Sequence, residues 1–535
     1  MKYISKKTFL VLMIFVSIIS VLTYFVYFFN QPAKAYISQT NSSASLVIGQ
    51  ADFASNLVNQ GGVPAANTLN QPFGLAAADG QLIISDEANH RALIYNSIPA
   101  ANNISADVVI GQPDMASNSA NQGGAGFRNA NTLYSPRGLL FAEGKLLVAD
   151  SLNHRVLIFN SLPTSNNASA NVVIGQADFV SGSANQGGAP AANTLNVPRG
   201  VYYVAGKLFI ADTFNHRVLI YNSIPAVNNV SADLVIGQPD MVSNSANQGG
   251  SPAANTLSQP REINYDASRL YITDMNNNRV LIYNSIPAAN DASANVVIGQ
   301  SDMVSNTANQ GGSPAANTLD SPINLLIYGQ RLFLTDVANN RLLIYLTLPA
   351  ANNTSANVVI GQSDFASNLA NQGASPAANT FSGPRQLSIS SSSSKLMLVD
   401  TLNNRALFYN LGPINLSMIA RMSTEVGESL RHARLSLSAE GVYQMMISNY
   451  SDFREGAWES YAETKDWTLI ADSPQTVYAK FMDYGLFESA AISAITGLPS
   501  TGADSNWLFL ALLMVILLVG ILFIIFNSLH RRKKD

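Results

Sequence analysis

Four arginines stand where they could act together on one ligand. Arg137, Arg199, Arg261 and Arg385 each follow a proline that introduces an apolar segment, and Phe73 and Ile323 hold the same place after Pro72 and Pro322. Guanidinium groups converging from separate segments suit a carboxylate or a phosphate, which they bind through paired N–H donors. Their other use is structural, each arginine pairing with an aspartate of its own or the adjacent segment. His90, His154 and His216 could be metal ligands or bases. Asn278, Asn340 and Asn404 take their place in three further units, so a structural role shared by His and Asn is expected. The aspartates of Gly-Gln-x-Asp (Asp52, Asp114, Asp178, Asp240, Asp302 and Asp364) could bind calcium, but each unit supplies one carboxylate where calcium takes six to eight oxygens. No other metal or cofactor is expected. No Gly-x-Ser-x-Gly, His-Glu-x-x-His or phosphate-binding loop occurs, so no catalytic set is assigned.

These residues are positioned by a repeat. The pattern Asp-x-x-Asn-(His/Asn)-Arg begins at Asp86, Asp150, Asp212, Asp274, Asp336 and Asp400 and ends at Arg91, Arg155, Arg217, Arg279, Arg341 and Arg405. Its aspartate should end one strand, its asparagine should tolerate a left-handed turn, and its arginine should open the next strand and bridge the aspartate or stack on a neighbour. Val-Ile-Gly-Gln recurs from Val47, Val109, Val173, Val235, Val297 and Val359, 62 or 64 residues apart. Each unit carries four strand signals; in the second they are Gly138 to Ala142, Lys145 to Ala149, Arg155 to Asn160 and Asn171 to Ile174. The prolines are expected just before the innermost strand, where a missing N–H does little harm. Long connections such as Ala177 to Val197 repeat Asn-Gln-Gly and Ala-Asn-Thr, and their side chains are expected to satisfy backbone groups between units.

The stretch from Asp212 to Asn222 and its five copies resemble the NHL repeat, the blade unit of a family of β-propellers. The resemblance implies an all-β fold, a six-bladed NHL-type β-propeller over residues 44–412. Since one Val-Ile-Gly-Gln strand precedes every other strand and the sixth unit has none after it, Ser45 to Gln50 should pair with the blade from Gln386 to Asn410, a three-plus-one closure. The arginines would then ring the mouth of the central channel. Some NHL propellers are lyases or hydrolases and others bind RNA or proteins, so the resemblance implies a fold and leaves the activity open.

Charged residues make up 12% of the chain and the net charge is -4, which offers no field for nucleic acid; the absence of cysteine excludes disulfides and thiol chemistry. Residues 1–35 order a basic region, an apolar run and Ala33-Lys34-Ala35 as a secretory signal does, and the length of the run also suits an uncleaved anchor. Leu498, Pro499, Thr501 and Gly502 belong to a pentapeptide, residues 498–502, that precedes an apolar run at 507–526 and a basic tail at 527–535. This order resembles the LPXTG cell-wall sorting signal. By that resemblance sortase would cut after Thr501 and join it to the wall peptide, the apolar run would be a transmembrane helix, and the tail would be cytoplasmic. Residues 414–496 hold alternating runs and resemble Ig-like stalk domains, which implies a small β-sandwich. The expectation for function is a surface protein that binds an extracellular protein or glycan. An extracellular lyase or hydrolase and a plain spacer are the alternatives, and an enzyme would need polar residues that differ among blades and converge at the channel.

Overall fold

The structure is a computed structural model that describes residues 40–78, 80–390, 395–411, 414–422, 432–440, 442–470, 475–483 and 491–495. The signal at 1–35, the sorting pentapeptide at 498–502, the apolar run at 507–526 and the tail at 527–535 lie outside the described residues. Among the described residues no helix is long and apolar enough to cross a membrane.

Each of the first five repeats folds into one four-stranded antiparallel sheet, and the sixth supplies three strands of another. In the second repeat the strands are Pro136–Ala142, Lys145–Asp150, Arg155–Phe159 and Val172–Ile174, joined in chain order. The innermost strand begins at the proline itself, two residues earlier than the pattern of apolar residues suggests. Pro136 lies opposite Asp150 and regular pairing resumes at Leu139, so Arg137 and Gly138 fall in a register shift. An irregularity of this kind bends the strand and re-aims its side chains. The same shift separates Pro72 from Leu75, Pro198 from Val201, Pro260 from Ile263, Pro322 from Leu325 and Pro384 from Leu387.

The core lies between neighbouring sheets. Ile83 and Ile94 of the first repeat pack with Leu146, Val148 and Leu157 of the second, all fully buried. The inner strand Pro72–Ala78 lies beside both Pro136–Ala142 and Pro384–Ser390, so the sixth repeat returns to the first, as the blades of a β-propeller do. The strand Leu46–Ile48 pairs antiparallel with Arg405–Asn410, placing Leu46 opposite Phe408, and becomes the outermost strand of the sheet that the sixth repeat builds. Close packing of the inner strands demands small residues on one side of the ring. A Cβ at Gly74 would stand 1.9 Å from the carbonyl oxygen of Arg137, and one at Gly138 would stand 1.9 Å from that of Arg199.

After residue 413 the repeat ends. Ile414–Met422, His432–Glu440 and Thr464–Thr468 form one sheet, and Val442–Ser448, Glu459–Ser460, Thr476–Asp483 and Ile492–Ile495 form a second. Leu435 and Leu437 of the first share a core with Ile447, Val477 and Phe481 of the second, which is the construction of a β-sandwich. Trp467 packs against this core and donates its indole N–H to Asn449 Oδ1 at 3.0 Å.

Candidate functional site

The recurrent aspartate and arginine form a structural clip in every repeat. Arg91 Nε donates to Asp86 Oδ2 at 2.7 Å, and the five other pairs lie at 2.7 or 2.8 Å, with every one of these side chains fully buried. Asp86 also accepts from Asn89 Nδ2 and from the N–H of Asn70, while Arg91 Nη2 donates to the carbonyls of Ala65 and Thr68. Its Nη1 donates to the carbonyl of Met115. One guanidinium thus ties the turn to the long connections before and after it. Asn59 and Asn89 exchange hydrogen bonds, and Gln60 Nε2 donates to the carbonyl of Asn67, so the connection's repeated amides hold the backbone.

The left-handed residue of the turn is the one after the asparagine. His90 has φ 54° and Asn278 has φ 52°, whereas Asn89 sits in a short 3-10 turn. The reason His and Asn alternate there is hydrogen bonding: Nδ1 of His90, His154 and His216 accepts the N–H of Ser135, Val197 and Gln259, the residues before the next repeat's proline. Oδ1 of Asn278, Asn340 and Asn404 does the same for Ser321, Gly383 and Gln71. The six aspartates considered for calcium each close their own turn; Asp52 Oδ1 accepts the N–H groups of Ala54 and Ser55 at 2.9 and 2.8 Å. Among the described residues no three metal-ligating side chains gather.

The arginines after the prolines are a different case. Arg137, Arg261 and Arg385 come from alternate repeats and lie close enough for their charges to interact. Among the described residues none pairs with an aspartate. Glu87, an unforeseen partner, accepts from Arg137 Nε and Nη2 at 2.8 and 2.7 Å on Oε1, and from Arg385 Nη1 at 3.3 Å on Oε2. Phe73 lies between these arginines, its ring centre 5.6 Å from Arg137 Cζ and 4.7 Å from Arg385 Cζ. Arg199 instead stacks over Phe214 at 5.8 Å. Among the described residues Arg261 has no carboxylate partner; its Nε faces Met275 Sδ at 3.0 Å and its Nη2 donates to Gln259 Oε1 at 3.2 Å. Buried nitrogens without a hydrogen-bond partner remain on Arg137, Arg199, Arg261 and Arg385. Burial, with Arg137 and then Arg385 beside it, pushes the Arg261 guanidinium down to about 9. Burial also lowers Arg385, against the attraction of Glu87.

One residue further along these strands the repeats differ outright. Gly74, Gly138 and Gly200 are followed at the same place by Glu262, Asn324 and Gln386. Glu262 is 7% exposed, and its Oε2 accepts from Asn324 Nδ2 at 2.9 Å and Gln386 Nε2 at 3.1 Å. Burial pushes its carboxyl up to about 7, opposed by the donors on Gln386, Ile263 and Asn324. Sequence reasoning missed Glu87 and this trio. The available signal was the column of aligned repeats, in which Glu87 stands against Ser151, Thr213, Met275, Val337 and Thr401.

No protein-family model matches the chain, and no curated protein matches it. Solved structures with some likeness include a gluconolactonase of Xanthomonas campestris, at 12% identity and TM-score 0.33 over 71% of this chain and 97% of that one. A nidogen/laminin complex matches at 15% identity and TM-score 0.29, over 54% of this chain and 83% of that one. An auxiliary nutrient binding protein of Bacteroides thetaiotaomicron matches at 10% identity and TM-score 0.36, over 62% of this chain and 66% of that one. At these scores none of them bears on what the site binds.

Proposed function

We propose that this chain is a cell-surface binding protein whose propeller holds an anionic group, a carboxylate or phosphate of an extracellular glycan or protein, at its arginine cluster. The propeller in this reading is six-bladed, of NHL type, and closed three-plus-one by the strand Leu46–Ile48. The observation that carries the reading is Arg261, a buried guanidinium with no carboxylate partner among the described residues and two further arginines beside it. At neutral pH it keeps its charge, and an incoming anion would both accept its N–H groups and offset the repulsion. The remaining features of the sequence fit surface display: a signal at 1–35, an Ig-like stalk at 414–496, and sortase transfer of Thr501 to the wall peptide ahead of the apolar run at 507–526.

The test is calorimetric titration of the purified protein with uronate oligosaccharides, phosphorylated glycans and acidic extracellular proteins. Arg261→Gln should abolish the binding that the unmodified protein shows; equal binding by both would overturn the site. Closure is tested separately, since deleting residues 44–50 should lower the melting temperature of the whole ring.

Glu262 favours a second reading, an extracellular lyase or hydrolase. A buried carboxyl that exchanges its proton near neutrality, one residue beyond an arginine of the cluster, is suited to proton transfer on an anionic substrate. Turnover of a uronate by the protein, lost in Glu262→Gln with binding retained, would favour it.

A further inference from the structure

Glu87 departs from its repeat in a particular way. At the same place in three other repeats a hydroxyl makes a single contact to another repeat, always the next: Ser151, Thr213 and Thr401 donate to the carbonyls of Pro198, Pro260 and Pro72 at 2.6, 2.8 and 2.8 Å. Glu87 leaves that pattern. Its carboxylate reaches Arg137 and Ser135 of the second repeat and Arg385 of the sixth, and so spans three of the six repeats. Each oxygen serves a different arginine, and Oε1 also accepts the Ser135 hydroxyl at 2.9 Å. Two guanidinium groups and a hydroxyl arranged around one carboxylate are what a carboxylate ligand would itself require.

We infer that Glu87 is a resident carboxylate standing in the subsite of the ligand's own, so that the ligand class is a carboxylate and Glu87 weakens its binding by competition. This rests on the anion-binding reading above. The ligand's carboxylate displaces the Glu87 side chain, takes over the Arg137 and Arg385 donors, and leaves Arg261 to draw it in. Glu87 thereby occupies donors of two arginines between binding events, offsetting one of their two charges, and sets a threshold of affinity below which weak anions do not enter. A phosphate presents three oxygens in a tetrahedral arrangement and reproduces the two-oxygen pattern of Glu87 less well.

The experiment uses the full chain in three forms, unmodified, Glu87→Gln and Glu87→Ser, titrated with a galacturonate trisaccharide and with glycerol 3-phosphate. The serine variant installs the residue that the second repeat carries at Ser151, and a melting curve of each variant checks that it is folded before titration. Both variants are expected to bind the trisaccharide about tenfold tighter than the unmodified protein, with a smaller gain for the phosphate. Unchanged or weaker trisaccharide binding in the variants, alongside measurable binding by the unmodified protein, overturns the inference and leaves the anion site standing: Glu87 then merely orients the arginines. An equal gain for both probes overturns the carboxylate preference. No binding of either probe by any of the three overturns the anion site and the inference with it.

Discussion

Nδ1 of His90 accepts the backbone N–H of Ser135 at 3.2 Å, which ties the turn of the first repeat to the residue before Pro136 of the second. The ring must be neutral to accept there, with its proton on Nε2. Burial holds His90, His154 and His216 below their ordinary value of 6.5. A group lowered in this way adds stability above its ordinary value, and that stability is lost as the pH falls through the lowered one. Replacing all three by Asn should leave the melting temperature unchanged at pH 7.5, since Asn278, Asn340 and Asn404 already make the same bond. Between pH 6.5 and 4.5 the triple variant should lose less stability than the unmodified protein. Parallel melting curves over that range would show that the histidines do not titrate with unfolding.

The clip between Asp212 and Arg217 should be far less tolerant. Asp212→Ala leaves a fully buried guanidinium without its carboxylate, at a cost of about 3–5 kcal/mol. Changing Arg217 to Met as well should not recover the loss, because Arg217 Nη2 also serves the carbonyls of Ala191 and Thr194, which would then be buried without a donor. Urea denaturation of the single and double variants measures both effects; full recovery in the double variant would mean that those carbonyls find other donors.

Gly138 is a steric requirement. A Cβ there would stand 1.9 Å from the carbonyl oxygen of Arg199, so the neighbouring inner strand must move. Gly138→Ala should cost about 1–3 kcal/mol, as forced overpacking does. Gly126→Ala, where a Cβ meets nothing within 4 Å, should be close to neutral. Similar melting temperatures for the two variants would show that the ring absorbs the displacement.

How far each of these features could be read in the sequence depends on distance along the chain. Asp212 and Arg217 are five residues apart and recur in all six repeats, so spacing offers their pairing as one of two roles, a bridge or a stack. The left-handed position was read one residue too early, because His and Asn look chemically unlike until both are seen accepting the same kind of N–H. Glu87 and Glu262 escaped because each occurs in a single repeat and so looks like variation within a uniform pattern. Their meaning depends on partners such as Gln386, 124 residues beyond Glu262, which only the circular arrangement of the inner strands brings near.

Glu262 gives the sharpest test of that arrangement. Its folded value, pushed up from 4.5 to about 7 mainly by burial, means that the folded ring prefers the neutral acid. Such a group contributes stability that is complete below its unfolded value and is lost as the pH rises to the folded one. At about 1.4 kcal/mol per unit, the loss amounts to roughly 3 kcal/mol by pH 8. Glutamine can still accept from Asn324 and Gln386 through its single oxygen, but it cannot ionise. Glu262→Gln should therefore match the unmodified protein near pH 4, below the unfolded value, and exceed it in stability by a margin that widens to pH 8. A constant difference across that range would mean that the carboxylate is as well held as the acid, and that Asn324 and Gln386 compensate fully for its burial.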